Sequence, residues 1–283
     1  INFNGTAGIW RKSCIIDAGN WEGDTLTEDL DLSYRAQLKQ WKFVYLDDVV
    51  TPAELPVTLE AIRSQQFRWN KGGAENFRKM IQRVLFSKQL STGVKFNASV
   101  HLLNSSMFLC VMLVAILSIP ILFIKVQIPE LSLFFNLGSL FILSTLIFFI
   151  CYWFVHQHIY GKGLSSFFNY TKHFFLFYTL VMGFSIHNAI AVLEGHFGKK
   201  SPFIRTPKYN INATNTDLNK TKYQPKKRSR FTYLEMGFAV YFLFGIYAAF
   251  FGATSGDFGL FPFHILLFIG FCSISIFGMK QKY

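Results

Sequence analysis

Two short stretches of this 283-residue sequence carry side chains that could act together on one substrate. Residues 27–29 read Thr-Glu-Asp, and residues 65–69 read Gln-Gln-Phe-Arg-Trp. Gln65, Arg68 and Trp69 stand at i, i+3 and i+4, the positions that share one face of a helix. An amide, a guanidinium and an indole would therefore face one ligand, while an upstream carboxylate could serve as a general base.

The acidic stretch is predicted to lie at the start of a helix over residues 25–40. Thr25 and Glu28 have the spacing of a capping box, and apolar side chains recur at helical intervals from Leu30 onward. Acids in a first helical turn interact favourably with the helix dipole. A purely structural role is therefore the alternative to catalysis for Asp29.

The segment that follows must bring the second motif near the first. Residues 41–46 are aromatic and β-branched, which predicts a strand. From Val57 a long amphipathic helix carries the Gln-x-x-Arg-Trp face and continues past two glycines to Phe86. We expect its second part to lie on a membrane surface, with four cations facing headgroups: Arg78, Lys79, Arg83 and Lys88.

The composition is that of a membrane protein, since 51% of the residues are apolar and 34 are Phe. Each charge-free run is about 20 residues or longer, which is enough to cross a bilayer. The runs cover residues 96–124, 131–161, 173–193, 236–256 and 258–279. The four cysteines are scattered, with neither a metal-ligand spacing nor a disulfide framework.

Positive charge is concentrated in residues 194–230, which hold ten Lys or Arg against two Asp or Glu. Such a run could bind nucleic acid, but between apolar spans it indicates the cytoplasmic side of a membrane. Four crossings keep this loop and residues 1–98 on that side, whereas five do not. We therefore assign residues 173–193, whose second half is polar, to an interfacial helix.

The motifs resemble those of the processive family 2 glycosyltransferases, the cellulose synthase superfamily, whose hallmarks are a Thr-Glu-Asp triplet and a Gln-x-x-Arg-Trp motif. The sequence is most similar to the plant mannan synthase-like branch and its bacterial relatives. Residues 3–8 (Phe-Asn-Gly-Thr-Ala-Gly), 27–29 and 64–69 carry this similarity. The resemblance implies that the sequence is the C-terminal part of a longer enzyme.

The resemblance also implies roles for individual residues. Asp29 matches the proposed catalytic base, Arg68 the contact to the leaving diphosphate, and Trp69 the plate for a sugar ring. The substrate-binding set is Thr27, Glu28, Gln65, Arg68, Trp69, Asn4, Gly5 and Thr6. Residues 203–208 are similar to the gating loop of cellulose synthases through Phe203, Thr206 and Lys208, although Arg205 and Pro207 depart from that motif.

We therefore expect an α/β catalytic-domain remnant of the GT-A type followed by an α-helical transmembrane bundle. The predicted domains are residues 1–56 (catalytic), 57–98 (interface helices), 99–193 (two transmembrane helices and an interfacial helix), 194–230 (basic loop) and 231–283 (two transmembrane helices). The expected reaction extends and translocates a β-linked polysaccharide. The alternatives are a non-processive transferase with a lipid-linked acceptor and, in another class, a transporter or channel.

The resemblance implies the partners as well. They are a nucleoside-diphosphate sugar, a growing glycan or lipid-linked acceptor, and the lipid bilayer, with no nucleic acid. Mg²⁺ or Mn²⁺ is expected from the family, with no metal ligands in this chain. The location is an integral membrane protein of the bacterial inner membrane or a Golgi-type membrane, with the catalytic part cytoplasmic. Ionisable groups expected of a transporter are nearly absent from the spans.

Overall fold

The computed structural model describes residues 2–3, 5–46, 48–139, 142–206, 229–251 and 258–280. Within these ranges the structure is helical and contains no strand. The α-helices in chain order are α1 (Lys12–Asp17), α2 (Glu28–Leu38), α3 (Leu59–Leu85), α4 (Thr92–Leu103), α5 (Met107–Gln127), α6 (Ser132–Ser139), α7 (Ile142–Tyr160), α8 (Leu164–His196), α9 (Phe231–Phe251) and α10 (Phe261–Lys280). Single 3-10 turns occupy Asn104–Ser106 and Pro129–Leu131.

The chain divides into two compact units, which we describe separately. Unit 1 contains the described residues up to Met112 and those from Ile186 to residue 206, and therefore both motifs. Unit 2 contains the described residues of Leu113–Ser185 and Ser229–Lys280, and therefore most of the apolar helices.

Helix α2 is held between two apolar clusters of unit 1. One cluster joins its buried residues Leu32 and Ala36 to Cys14 and Ala18 of the α1 segment. The other joins Tyr34 of α2 to Met80, Val84 and Leu102 of α3 and α4. Because the buried positions of α2 face different neighbours, this helix, which begins within the Thr-Glu-Asp triplet, is held in place from both sides.

The start of α2 differs from the prediction. The helix begins at Glu28, and Thr27 is its N-cap residue, although the Thr27 side chain makes no cap hydrogen bond. The Thr25 hydroxyl accepts a hydrogen bond from Asn76 Nδ2 at 3.4 Å. The predicted capping box is therefore wrong, because a contact with α3 engages the threonine that would have capped the helix.

Helix α3 is a single helix of 27 residues that runs through Gly72 and Gly73. It begins after Thr58, whose hydroxyl accepts a hydrogen bond from the Ala61 amide. The prediction that its second part turns its cations toward headgroups is wrong for Lys79, which is only 14% exposed and pairs with carboxylates. Arg78 is exposed and donates one hydrogen bond to the Gly195 carbonyl at 3.2 Å, and for it the prediction stands untested.

The predicted strand over residues 41–46 does not form, and Val44, Tyr45 and Leu46 are exposed there. A strand satisfies its backbone groups by pairing with a neighbour, and none of the described residues provides one. The α/β part of the fold prediction is therefore not confirmed, whereas four helices of the described chain fit the predicted helical membrane part.

Unit 2 is built on close contacts between helices. Ser275 of α10 donates to the Thr232 carbonyl near the start of α9, and Phe242 and Phe271 stack with ring centroids 5.6 Å apart. Helices α9 and α10 are therefore antiparallel neighbours. Gly183 of α8 and Gly270 of α10 approach so closely that a Cβ at either would collide with the backbone of the other helix.

Four helices of the described chain are long and apolar enough to cross a membrane. They are Thr92–Lys125, Leu164–His196, Phe231–Phe251 and Phe261–Lys280. This set includes α8, which contains the segment that the sequence assigns to the interface. It does not include residues 131–161, which hold α6 and α7. The number of crossings and their orientation remain predictions.

Candidate active site

The acidic triplet lies where the loop before α2 meets α3. Thr27 accepts two hydrogen bonds from the Asn76 amide nitrogen, one at its hydroxyl (2.9 Å) and one at its carbonyl (3.1 Å). Asn76 and Thr27 are 49 residues apart in the chain. The triplet is therefore placed by a contact between distant segments.

Asp29 lies in the first turn of α2 and is partly buried beside Gly5. Gly5 has φ +79°, and a Cβ added there would lie 2.6 Å from Asp29 Oδ2. Glycine therefore supplies both the left-handed backbone and the space for the carboxylate. Of the two residues predicted to accompany Gly5, Thr6 is exposed, and Asn4 lies outside the described residues.

The surroundings of Asp29 change the pKa of its carboxyl. Burial raises the pKa of the Asp29 carboxyl above its usual value, and the neighbouring charge of Glu28 raises it further. The backbone N–H of Leu30 and the charge of Arg68 oppose this shift without cancelling it. A raised pKa brings a carboxylate closer to the range in which it accepts protons effectively near neutral pH.

Arg68 of α3 acts electrostatically on both acids of the triplet, Glu28 and Asp29. Burial lowers the pKa of the Arg68 guanidinium, and the two carboxylates oppose that change. The fold thus brings the Gln-x-x-Arg-Trp motif and the acidic triplet together. Their spacing in the sequence does not show this proximity.

The first part of the basic loop reaches the same guanidinium. Arg68 Nη1 donates to the Ile204 carbonyl at 3.1 Å, and Arg68 Cζ lies 4.8 Å from the centroid of the Phe203 ring. Thr206 Oγ1 is buried and has no hydrogen-bond partner among the described residues. Lys208, the third residue of the predicted gating loop, lies outside those residues.

Gln65 and Trp69 belong to the same continuous helix as Arg68, so the three share one face as predicted. Gln65 is partly buried, whereas Trp69 is 49% exposed. An indole exposed to this extent beside an arginine is available to an incoming ring.

A cavity of about 380 Å³ adjoins the triplet. Its walls come from three segments, which contribute Gly23, Asp24, Thr25, Leu26 and Glu28, then Glu75 of α3, and finally Lys200, Ser201 and Phe203. Glu75 Oε2 accepts a hydrogen bond from the Leu26 amide at 2.7 Å, and burial raises the pKa of the Glu75 carboxyl. Acids and one cation, Lys200, therefore line a space large enough for a sugar.

Comparison with known proteins identifies the family. A family described as "Glycosyl transferase family group 2" matches residues 5–186, which include Gly5, the triplet and the Gln-x-x-Arg-Trp motif. The chain belongs to this family. The resemblance read from the motifs is thus confirmed, although residues 203–208 lie outside the matched range.

Two plant enzymes illustrate the similarity of this family 2 glycosyltransferase to curated relatives. Glucomannan 4-beta-mannosyltransferase 9 of Arabidopsis thaliana is 33% identical over 287 residues, which cover 94% of this chain and 48% of the relative. Glucomannan 4-beta-mannosyltransferase 1 of Oryza sativa subsp. japonica is 50% identical over 95 residues, or 34% of this chain and 18% of the relative. The chain spans about half or less of the length of these relatives. No solved structure matches the chain.

Family 2 glycosyltransferases generally use a divalent metal, and unit 1 contains one acidic cluster among the residues described. Glu22, Asp24 and Asp31 offer oxygen atoms within 4.8 Å of one another. Lys79 Nζ, however, lies 2.7 Å from Glu22, 2.7 Å from Asp24 and 2.9 Å from Asp31. An ammonium already takes the place a metal would need, so the cluster does not fit a metal and we derive no step through one.

Lys71 of α3 contacts a segment next to the candidate site, and the sequence analysis did not predict this role. It is fully buried, and its Nζ lies 3.1 Å from Glu194 Oε2 and 2.5 Å from Ser201 Oγ. It thereby ties the segment that leads to Phe203 to the helix that carries Arg68. A lone lysine between Asn70 and Gly72 gives no sequence signal of this contact.

Proposed function

We propose that the protein is a processive inverting glycosyltransferase that extends a β-linked, mannose-containing glycan from a nucleoside-diphosphate sugar. The observation that carries the proposal is that Asp29, a partly buried carboxyl with a raised pKa, lies within electrostatic reach of the Arg68 guanidinium. A glycosyl transfer with a diphosphate leaving group needs a base for the acceptor hydroxyl and a cation for the diphosphate, and these two residues would supply them. The names of the relatives supply the mannosyl group and the β linkage.

In the proposed reaction, the hydroxyl at the end of the glycan attacks the anomeric carbon of the donor sugar. A new C–O bond forms, and the bond from that carbon to the diphosphate breaks, with its electrons leaving on the diphosphate. Asp29 accepts the hydroxyl proton as the attack proceeds. One displacement of this kind inverts the anomeric configuration, so an α-linked donor gives a β-linked product.

Arg68 stabilises the charge that develops on the leaving diphosphate. Its planar guanidinium presents several N–H donors in a geometry that suits phosphate oxygens. Among the residues that the structure describes, one hydrogen bond from this group is formed, to the Ile204 carbonyl. The other N–H donors of Arg68 would bind a diphosphate that approaches α3 from the side of the cavity.

Trp69 is proposed to hold the acceptor. The apolar face of a sugar ring stacks on an indole, and the exposed half of Trp69 offers such a surface. Gln65, one turn earlier on the same face, would accept or donate a hydrogen bond to a ring hydroxyl. Thr27 and Glu28 complete the cleft on the side of α2.

The segment over residues 203–208 is proposed to act as a lid over the donor. Its contacts with Arg68 through Phe203 and Ile204 support this role, as does the Thr206 hydroxyl that lacks a partner among the described residues. When a diphosphate binds Arg68, the lid would supply Thr206 and Lys208 to it and exclude water.

The membrane helices are proposed to conduct the product across the membrane, with residues 1–98 and the basic loop on the cytoplasmic side. The ten-to-two excess of cations in residues 194–230 supports this orientation. The bilayer is thus a partner, and no nucleic acid is required.

The experiment is synthesis by the full-length enzyme in proteoliposomes, with a panel of radiolabelled nucleoside-diphosphate sugars. We expect one donor, a mannosyl nucleotide, to give long β-linked chains early in the reaction, because a processive enzyme keeps its product bound. Short products on lipid would instead indicate the non-processive alternative. Uptake of sugar without transfer would indicate a transporter and refute the proposal.

A further inference from the structure

The face of α3 that presents the Gln-x-x-Arg-Trp motif does not end at Trp69. Continuing at helical intervals, it carries Gly72, Asn76 and Lys79. Each of these residues contacts the segment that holds the acidic triplet. A single helix face thus begins with the residues that would bind substrate and continues with residues that touch the chain around the general base.

Gly72 lets the two segments come unusually close. A Cβ added there would lie 2.5 Å from Thr27 Oγ1, 2.7 Å from Thr27 Cγ2 and 2.9 Å from the Thr27 backbone nitrogen. A rotation of the Thr27 side chain would not relieve the last of these contacts. Any larger residue at position 72 must therefore move the backbone at the start of α2.

Asn76 holds the same threonine by hydrogen bonds. Its side chain is fully buried, and its Nδ2 donates to Thr27 Oγ1 at 2.9 Å and to the Thr27 carbonyl at 3.1 Å. The same nitrogen lies 3.1 Å from the Gly72 carbonyl and 3.4 Å from Thr25 Oγ1. One buried amide therefore fixes both the side chain and the backbone of Thr27.

We propose that Gly72 and Asn76 are positioning residues that seat Thr27 against α3 and thereby set the position of the Asp29 carboxylate relative to Arg68. The proposal rests on the proposed role of Asp29 as base. Asp29 follows Thr27 by two residues in the first turn of α2, so a shift at Thr27 moves it. Arg68 lies one turn before Gly72, so it stays with α3.

The rest of α2 would stay docked if Thr27 moved. Asp31, two residues after Asp29, remains bound to Lys79 at 2.9 Å and to Arg35 at 2.8 Å. The apolar contacts of Leu32 and Tyr34 are also untouched. A substitution at position 72 or 76 should therefore displace the triplet without unfolding unit 1.

The first test compares Gly72→Ala with Gly73→Ala in the full-length enzyme. Both place a methyl group at neighbouring positions of α3, but at Gly73 the methyl would crowd the Ser105 hydroxyl and not Thr27. A displacement of about 1 Å at a reacting group can cost about a hundredfold in rate. We expect Gly72→Ala to lower kcat about tenfold to a hundredfold, with donor KM nearly unchanged and Gly73→Ala close to wild type.

The second test compares Asn76→Ala with Asn70→Ala. Asn70 is also a buried asparagine of α3, but its Nδ2 donates to the Gln66 carbonyl of its own helix. We expect Asn76→Ala to lower kcat and Asn70→Ala to leave it close to wild type. A Thr27→Val substitution in the Asn76→Ala background should then cost less than it does alone, because the two residues act as a pair.

The pH dependence of kcat separates positioning from general loss of structure. The charged groups that act on Asp29 are Glu28 and Arg68, and burial keeps the pKa of Asp29 raised. Displacing Thr27 should expose Asp29 to water, so the acid limb of the profile should move to lower pH in Gly72→Ala. It should stay in place in Gly73→Ala.

Asp29→Asn is measured beside these variants, with donor binding as the check that each is folded. Two results would overturn the positioning role. One is an equal fall of kcat in Gly72→Ala and Gly73→Ala. The other is a rise in the donor KM of Gly72→Ala while the acid limb of its pH profile does not move. If that happens while Asp29→Asn is inactive, the assignment of the base stands alone. If Asp29→Asn is active, the assignment of the base fails, and the positioning role fails with it.

Discussion

Replacing Lys79 with methionine would break the ion pairs that join α3 to the segment around α2. Lys79 contacts Glu22 and Asp24, which are 44% and 56% exposed. Exposed pairs of this kind contribute at most about 1 kcal/mol each. The third partner, Asp31, is fully buried, and removing one partner of a buried ion pair costs about 3–5 kcal/mol when the other charge is left alone.

Asp31 is not left alone, because Arg35 Nη2 remains 2.8 Å from its other oxygen. We therefore expect the Lys79→Met substitution to lower the free energy of unfolding by about 2–4 kcal/mol. The measurement is tryptophan fluorescence of the purified protein in detergent during thermal and denaturant unfolding. Lys39→Met is the matched control, since Lys39 is an exposed lysine at the end of α2 and should change stability little.

The stability difference between wild type and Lys79→Met should also depend on pH. The hydrogen bond from Lys79 lowers the pKa of Glu22, and for Asp24 the hydrogen bond and charge of Lys79 outweigh burial, so its pKa is lowered too. Acids with a lowered pKa in the folded state stabilise it above their unfolded pKa, and this contribution is lost as pH falls through the folded value. The difference between wild type and Lys79→Met should therefore shrink below about pH 4.

Equal stability of Lys79→Met and Lys39→Met at neutral pH would contradict the placement of Lys79 among three carboxylates. A further readout concerns metal. Without the ammonium, the three carboxylates should accept Mn²⁺, so millimolar Mn²⁺ should raise the unfolding temperature of Lys79→Met more than that of the wild type. Equal stabilisation of both proteins would mean that the lysine does not occupy the cluster.

Three other predictions follow from the proposed roles. Trp69→Ala should lose about 1.5–3 kcal/mol of contact with the acceptor sugar, seen as shorter chains and poorer acceptor use with donor binding kept; an equal loss of donor binding would indicate a packing defect. The double substitution Thr206→Ala with Lys208→Ala should reduce turnover more than stability, and unchanged turnover would make the segment a plain connector. Thr216→Cys should react with an impermeant thiol reagent only in inverted vesicles or lysed cells, so labelling of intact cells would restore five crossings.

The local sequence pattern was sufficient to predict the helices that carry the motifs. The spacing of Gln65, Arg68 and Trp69 predicts a shared face, and α3 provides it. Helix α2 was predicted over residues 25–40 and occupies Glu28–Leu38. These features depend on intervals within one helix, which is the information that a single sequence carries most directly.

Contacts between distant segments could not be predicted, and they account for the errors. The predicted capping box at Thr25 is absent because Asn76 engages that hydroxyl. Lys79 looked like a headgroup ligand because its three carboxylate partners are 48 to 57 residues away in the chain. Residues 41–46 have the composition of a strand, but a strand also requires a neighbour, and composition does not report one.

The motifs indicated the chemistry of the site better than its geometry. The resemblance selected Asp29 and Arg68, and in the fold the charges of these two residues act on each other. It did not indicate Gly72, Asn76 or Lys71, because a small residue, a buried amide and a buried lysine in a helix are not distinctive in type or spacing. Their importance emerges only from what they touch.

The role of Asp29 as general base is tested most directly by Asp29→Asn in the reconstituted full-length enzyme. The amide keeps the shape of the side chain but cannot accept the proton of the acceptor hydroxyl at neutral pH. We expect donor binding to remain and the rate of polymer synthesis to fall about a hundredfold to ten-thousandfold, whereas loss of a helix-terminus charge alone would cost only about 0.3–1 kcal/mol of stability. Synthesis at about a tenth of the wild-type rate or better, with donor bound, would be too small a loss for a missing base and would contradict the assignment.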